Sequence, residues 1–165
     1  MKVLKFLSGY VKIQIETTFH KIRVMLNIIK IINKLNPPDK WKLYWRGVKH
    51  DLSKYGWFES SGVAMYIFDL KHTTYGSEQY EKMLEDIRPS INAHYKKNSH
   101  HPEHYKNGMK DMSELDKLEL IADWVAATKR HADGDIFRSI KINQKRFGYS
   151  DEDKEWLIKV ANILS

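Results

Sequence analysis

Apolar residues recur every three to four positions along residues 2–35, which is the spacing of one face of an α-helix. The members of this first stripe are Leu4, Leu7, Val11, Ile15, Phe19, Ile22, Leu26 and Ile29. A second stripe runs through Phe6, Tyr10 and Ile13. So broad an apolar surface predicts a long helix packed into the core. An amphipathic helix at a membrane interface is the alternative. Pro37-Pro38 ends the helix.

The next apolar segments predict three more helices. The first covers residues 39–51 and turns an aromatic face inward. Its inward residues are Trp41, Tyr44, Trp45 and Val48. The other two are expected at 57–70 and 77–97, where Pro89 bends or splits the second.

The C-terminal third carries two helix-start signals of the Ser-x-x-Asp type. These are Ser113 to Asp116 and Ser150 to Asp153. The first opens a helix that runs to about His131, and a shorter helix is expected at 135–147. Residues 98–112 are expected to be irregular. Because strand-type alternation is nearly absent, the sequence predicts an all-α fold.

Composition limits the size of the protein and the metal chemistry open to it. The chain has 165 residues, which predicts a single domain over 1–165 with a buried core. It has no cysteine, so disulfides and thiolate metal sites are excluded. Any metal must bind to histidine nitrogen and carboxylate oxygen, which suits Mn, Fe, Mg, Co, Ni or Zn.

Positive charge is concentrated near the N-terminus. Residues 1–50 contain eleven Lys/Arg and two acids, whereas residues 51–165 contain seventeen and nineteen. This imbalance favours attraction to a phosphorylated substrate, nucleic acid or an anionic membrane surface. A solvated lysine-rich helix face explains it equally well. Charged residues interrupt every apolar run, so we expect neither a signal peptide nor a transmembrane span.

The candidate chemistry centres on the adjacent pair His50-Asp51. His20 precedes the pair by thirty residues, and His94 and Asp123 follow it. A neutral imidazole beside a carboxylate can bind one divalent ion without moving the backbone. Taken alone, a histidine in an apolar helix is more often a hydrogen-bonded core residue.

The order of these residues resembles that of the HD-domain superfamily. An early helical histidine, a His-Asp pair about thirty residues later and a lone aspartate on a later helix occur there in this order. His20, His50, Asp51 and Asp123 fit it. The resemblance implies a compact HD-like bundle of six to seven helices and a metal-dependent phosphohydrolase.

Over roughly residues 20–150 the chain also resembles a family of small, poorly characterised bacterial and phage proteins. The sequences that carry this resemblance are Tyr75-Gly76-Ser77-Glu78, His94-Tyr95, Asn98 with His100-His101-Pro102-Glu103-His104, Glu119, Asp123-Trp124, Arg130-His131-Ala132-Asp133-Gly134-Asp135, Asn143 and Arg146-Phe147-Gly148. The resemblance implies HD-like character without naming a substrate. We expect a cytoplasmic protein, located in a bacterium or in the host of a phage.

Lys54 stands where mononuclear HD-type nucleotidases often carry a glutamate. His-Asp-Leu-Ser-Lys is closer to the His-Asp-x-Gly-Lys of the dinuclear branch, which includes cyclic-dinucleotide phosphodiesterases and the inositol oxygenase. That resemblance implies that Lys54 contacts a phosphate or another substrate oxygen. A surface lysine favoured by the helix dipole is the plain alternative.

A dinuclear centre needs further histidine ligands. His94 and either His100 or His101 are in the right order to supply them, and we expect His94 and His101. The two ions would be bridged by Asp51. A single ion, with His94, His101 and His104 lining a phosphate pocket, remains an alternative. So does a histidine-rich loop held by local hydrogen bonds.

The acids of the later helix form one stripe. Asp116, Glu119 and Asp123 follow at intervals of three and four. We expect Asp123 to bind the metal and Asp116 to face solvent. Glu119 either orients a ligating histidine or acts as the base, a role for which Glu103 is the rival.

Our leading hypothesis is a phosphohydrolase that uses one or two divalent ions and acts on a nucleotide or another small phosphorylated metabolite. The expected metal ligands are His20, His50, Asp51, His94, His101 and Asp123. The catalytic candidates are Lys54, Glu119 and Glu103, and the substrate-binding candidates are Lys54, His104, Arg130 and Asn98. The alternatives are a di-iron HD-type oxygenase and a basic nucleic-acid-binding protein with a structural metal. A homo-oligomer is compatible with the sequence.

Overall fold

The computed structural model describes residues 2–73, 77–129 and 134–164. Eight α-helices and three short 3-10 helices make up the secondary structure of this part of the chain, which contains no strand. The α-helices are α1 (Lys2–Leu35), α2 (Lys40–Lys49), α3 (Trp57–Ala64), α4 (Ile67–His72), α5 (Glu78–Lys97), α6 (Glu114–Thr128), α7 (Ile136–Phe147) and α8 (Asp151–Leu164). The 3-10 helices are Leu52–Tyr55, Pro102–His104 and Gly108–Asp111. The all-α prediction is confirmed, with eight α-helices instead of six to seven.

The chain divides into two compact units. The first unit consists of Met1–Phe19 and Asp51–Asn98, and the second of His20–His50 and Ser99–Ser165. The expectation of one domain over 1–165 stays a prediction beside this division. The peptide bond between His50 and Asp51 is therefore a point at which the chain passes from the second unit to the first.

The second unit has a large apolar core. Its buried residues come from the second half of α1 and from α2, α6, α7 and α8, and they include Val24, Ile28, Leu43, Leu120, Ile140 and Leu157. Both predicted helix starts are confirmed. The Ser113 hydroxyl accepts from the amide of Asp116 in a full capping box, and the Ser150 hydroxyl accepts from the amide of Asp153.

The first stripe of α1 was predicted to be buried, and this prediction is wrong. Seven of its eight residues, all but Ile29, are more than half exposed. Helix α1 instead packs with the face that carries Gly9 and Ile13. A Cβ atom on Gly9 would lie 1.9 Å from the carbonyl oxygen of Ala64, so the two backbones approach as closely as glycine permits.

The inward aromatic face predicted for α2 is also wrong at two positions. Trp41 and Trp45 are 71% and 58% exposed. Helix α2 packs through Leu43 and Gly47, which are buried. The contact at Gly47 is tight, since an added Cβ atom there would lie 2.8 Å from the sulfur of Met25. The tight contact selects the smallest residue of the helix, and the two tryptophans fall on another side.

The remaining helix limits differ in detail from the predicted ones. The segment 57–70 is two helices with a turn at Met65 and Tyr66. Pro89 lies inside α5, which continues past it without a break. None of the helices in residues 2–73, 77–129 and 134–164 has an apolar stretch that could span a lipid bilayer.

Candidate metal centre

Helix α6 presents its acids to the interior of the second unit. The intervals of three and four place Asp116, Glu119 and Asp123 on one face, as predicted. The prediction that Asp116 faces solvent is wrong, because this residue is only 5% exposed. Its carboxylate accepts from Ser113, Ser99 and Tyr105, and these bonds compensate for its desolvation.

Three imidazoles converge on the carboxylate of Asp123. The Nε2 atom of His20, from α1, lies 2.8 Å from Oδ1. The Nε2 atom of His50, at the end of α2, lies 4.0 Å from the same oxygen. His100, just before the 3-10 helix Pro102–His104, places its Nε2 3.9 Å from Oδ2. We call His20, His50, His100 and Asp123 the three-histidine cluster.

The spacing of His20, His50 and Asp123 suits a divalent ion. One ligand atom from each of these residues lies within 4.8 Å of the other two. Ligand atoms bonded to one tetrahedral ion at about 2.0–2.2 Å are roughly 3.3–3.6 Å from one another. Two imidazoles with one carboxylate are donors that Zn, Fe, Mn, Co and Ni accept. These three residues therefore fit a metal, and His100 belongs with His50 and Glu119 to a neighbouring group of the same spacing.

Glu119 accepts hydrogen bonds from the Nδ1 atoms of two of these histidines. Its Oε1 lies 2.8 Å from Nδ1 of His50 and 3.2 Å from Nδ1 of His100. A carboxylate at Nδ1 makes that nitrogen the donor, so the lone pair of each ring is on Nε2, the atom that faces Asp123. Burial raises the pKa of Glu119, but the bonds from His100 and His50 outweigh it and keep this pKa well below its usual range.

Asp123 is likewise held as a carboxylate. Burial raises its pKa, yet the hydrogen bond from His20 and the nearby imidazoles lower it far more. The carboxylate that faces the three nitrogens is therefore ionised at neutral pH. An ionised carboxylate is the form that binds a cation.

Arg46 joins the two buried carboxylates of α6, and sequence reasoning did not find it. Its Nε donates to Glu119 at 2.7 Å, and one terminal nitrogen donates to Asp116 at 2.6 Å. Arg46 precedes His50 by four residues on α2, so the two side chains share a side of that helix. This spacing indicates the shared side but not the two acids that Arg46 contacts.

The first unit holds a second group of charged residues around Asp51. Asp51 has a φ of 55° at the end of α2, a left-handed conformation that turns the chain sharply into the 3-10 helix Leu52–Tyr55. Its Oδ1 lies 3.3 Å from Nε2 of His94, and its Oδ2 accepts from Lys54 at 2.6 Å. Glu59, also missed by sequence reasoning, lies 3.0 Å from Nδ1 of His94.

His94 is kept neutral by this environment. Burial lowers its pKa to about 4, and the positive charge of Lys54 adds to the effect, while Asp51 and Glu59 oppose it. Asn98 donates to the carbonyl oxygen of His94 and to the hydroxyl of Ser53. Asn98 therefore fixes the end of α5 in the first unit, while its predicted contact with substrate stays a prediction.

The other predicted residues lie around the 3-10 helix Pro102–His104. The ring of His101 lies 4.2 Å from that of His100, centroid to centroid. His104 is exposed beside Tyr105. Glu103 accepts from Arg146 at 2.7 Å. Arg130, expected to bind substrate, lies outside the described residues.

A model of a family of unknown function, DUF5662, matches residues 10–164. The chain belongs to the DUF5662 family. No curated protein and no solved structure matches it. Every residue of the three-histidine cluster and Glu119 lie within the part of the DUF5662 chain that the family model covers. Membership therefore includes the candidate metal centre but assigns it no activity.

Proposed function

We propose that this DUF5662 protein is a divalent-metal-dependent phosphohydrolase that acts on a nucleotide or another small phosphorylated metabolite. One observation carries the proposal. Two histidines bound through Nδ1 to a single carboxylate, Glu119, turn their Nε2 atoms towards Asp123, which also contacts His20. A carboxylate behind a histidine ligand is the usual outer arrangement of a protein metal site.

The residues at the metal centre have two roles, as ligands and as a positioning residue. His20, His50 and Asp123 are the proposed ligands, and His100 lies beside them on the carboxylate of Asp123. Glu119 is engaged by two imidazoles and by Arg46, so it is a positioning residue and not the proton acceptor. A bound divalent ion supplies Lewis acidity, which polarises a phosphoryl oxygen and lowers the pKa of water.

The first unit supplies a second pair of donors, Asp51 and His94. Both are buried, and His94 is neutral at pH 7, as a metal ligand must be. Lys54 uses one N–H donor on Asp51, which leaves two others for a phosphate oxygen. Within the first unit, we therefore assign Asp51 and His94 as donors to an ion of its own and Lys54 to a phosphate oxygen.

The order of ligands also resembles that of HD-type enzymes, which supports hydrolysis of a phosphate ester. The same nitrogen and oxygen donors accept iron, so a di-iron oxygenase is the second candidate. The two differ in their requirement for O₂. Hydrolysis proceeds without oxygen and releases phosphate or a phosphomonoester, whereas the oxygenase consumes O₂.

The test begins with protein stripped by chelator and reconstituted with Mn, Fe or Zn. Hydrolysis is followed under argon and in air as phosphate released from mononucleotides, as mononucleotide formed from cyclic nucleotides, and as p-nitrophenol released from bis(p-nitrophenyl) phosphate. We expect metal-dependent hydrolysis of at least one compound under both gases, lost in Asp123→Asn and retained in the exposed control Glu152→Gln. Reconstituted protein that hydrolyses none of these compounds, while consuming O₂, would overturn the hydrolase.

A further inference from the structure

The part of helix α1 that belongs to the first unit carries a row of apolar side chains that the unit does not cover. We call Leu4, Leu7, Val11, Ile15 and Phe19 the outer stripe. Their exposed fractions lie between 51% and 74%. With about 100 Å² left exposed on each side chain, the stripe is an apolar patch of about 500 Å². A contiguous apolar patch of this size indicates an interaction site.

The opposite side of the same helix segment accounts for its packing in the unit. Successive residues are about 100° apart around a helix, so residues two positions apart lie on opposite sides. Gly9, Ile13 and Thr17 are buried, and each stands two positions beyond a member of the outer stripe. The outer stripe is therefore additional to the face that folding uses.

The lysines beside the outer stripe are engaged within the first unit. Lys5 pairs with Asp69 of α4 at 2.6 Å. The ammonium of Lys12 lies 4.4 Å from the centre of the Phe68 ring, also on α4, and 3.9 Å from a carboxylate oxygen of Glu16. Both cations are thus turned away from the stripe and have acidic partners. They do not call for an anionic surface.

The side of the helix that carries the stripe is uncharged. Of residues 2–19, only Ser8 and Thr18 also stand within about 60° of its centre. The Ser8 hydroxyl donates to the carbonyl oxygen of Lys5 at 3.0 Å, and the Thr18 hydroxyl donates to that of Gln14 at 2.8 Å. This side therefore offers no cation to a phosphate, and the surface that covers it is itself neutral and apolar.

We propose that the outer stripe is the contact between two copies of this chain. Leu7, Val11, Ile15 and Phe19 follow one another at intervals of four, which forms a ridge that packs into the grooves of another helix. A second copy presents the same neutral ridge, so a two-fold axis near the middle of the stripe places each ridge against its equivalent. A specific dimer buries about 800 Å² per partner, and the stripe supplies the apolar centre of that area.

This inference is independent of the proposed hydrolase, because no residue of the outer stripe belongs to the metal centre. The test is sedimentation equilibrium of the full-length, metal-free protein over a range of micromolar concentrations. The test variant is Leu7→Gln/Val11→Gln/Ile15→Gln. The matched control is Ile142→Gln, since Ile142 on α7 is 56% exposed and Ile15 is 51% exposed. We expect wild type and Ile142→Gln to reach twice the chain mass. The triple variant should dimerise about tenfold more weakly or worse, with an unchanged helical circular dichroism spectrum.

The absence of cysteine permits a second test, which locates the contact. Val11→Cys, in the middle of the stripe, should be joined to a second copy by a short bismaleimide, whereas Glu85→Cys, exposed on α5 of the same unit, should not. Wild type that keeps the mass of one chain at every concentration overturns the proposal, and its flotation with phosphatidylcholine vesicles would then assign the stripe to lipid. A folded triple variant that dimerises like wild type, or equal cross-linking of the two cysteine variants, overturns it as well.

Discussion

The Nδ1 atom of His50 donates to Glu119 at 2.8 Å, and this bond determines which nitrogen of the ring faces Asp123. Glu119 makes the same kind of contact with His100 at 3.2 Å. One carboxylate thus sets the tautomer of two histidines in a single buried cluster. Changes at this cluster should therefore alter both the metal affinity and the unfolding free energy of the protein.

Replacement of Glu119 by glutamine should weaken metal binding about 10- to 100-fold, because the two imidazoles lose the carboxylate that orients them. Calorimetric titration of chelator-stripped protein with Zn²⁺ or Mn²⁺ measures the effect. Glu152→Gln, an exposed change of the same chemistry on α8, should leave the affinity at the wild-type value. Equal affinities for Glu119→Gln and wild type would remove Glu119 from the centre.

Arg46→Gln should lower the free energy of unfolding of the metal-free protein by about 3 kcal/mol. The change leaves Asp116 and Glu119 buried without the cation that bonds to both. Urea denaturation followed by circular dichroism measures it, with Arg138→Gln at an exposed position as the control. A loss no larger than that of the control would show that the Arg46 network contributes nothing to stability.

The sequence predicts those parts of this network that depend on residues three or four positions apart. The capping box at Ser113, the helical class and the shared face of Glu119 and Asp123 all follow from spacings of three and four. The sequence does not indicate the roles of Arg46 and Glu59, because their partners are distant in the chain. Arg46 contacts Asp116 and Glu119, which are 70 and 73 residues away, and Glu59 contacts His94, which is 35 residues away. No local pattern reports such pairs.

The periodicity of apolar residues also does not determine which side of a helix is buried when more than one side is apolar. The α1 pattern contains two apolar stripes, and the breadth of this surface predicts that the whole helix packs into the core. Close packing at Gly9 and Gly47 selected the sides with small residues. The same reason exposes Trp41 and Trp45, which a count of apolar residues assigns to the core.

Acid should destabilise the metal-free protein through His94. Its pKa is lowered from 6.5 to about 4, chiefly by burial, so between these values the unfolded chain binds a proton that the folded chain does not. The stabilising contribution is complete above pH 6.5 and is lost as the pH falls towards 4. Between pH 7 and pH 5 this residue should account for about 2 kcal/mol of lost unfolding free energy.

The check is urea denaturation at both pH values in the presence of chelator. His94→Gln should lose less stability over this interval than wild type, by that amount, and the exposed His72→Gln should behave as wild type. Equal losses of unfolding free energy between pH 7 and pH 5 in wild type and His94→Gln would show that His94 does not cause the acid sensitivity.

Two glycines of the first unit should respond differently to alanine. The new Cβ on Gly9 would meet the backbone oxygen of Ala64 at 1.9 Å, whereas that on Gly62 would meet the hydroxyl of Ser90 at 1.8 Å. A backbone cannot yield as a side chain can, so Gly9→Ala should cost about 1–3 kcal/mol and Gly62→Ala less. Thermal unfolding ranks them, and adding Ser90→Ala, which removes the hydroxyl but leaves the Ser90 Cβ at 2.9 Å, should restore part of the stability of Gly62→Ala and none of that of Gly9→Ala.

We propose that the second unit binds a divalent ion through His20, His50 and Asp123. The most direct measurement is the metal content and Zn²⁺ or Mn²⁺ affinity of tag-free wild type, Asp123→Asn and His20→Gln, with His72→Gln as the control. We predict at least one tightly bound equivalent in wild type and control, and its loss in both cluster variants while their circular dichroism is unchanged. Folded Asp123→Asn and His20→Gln proteins that bind metal as wild type does would contradict the account.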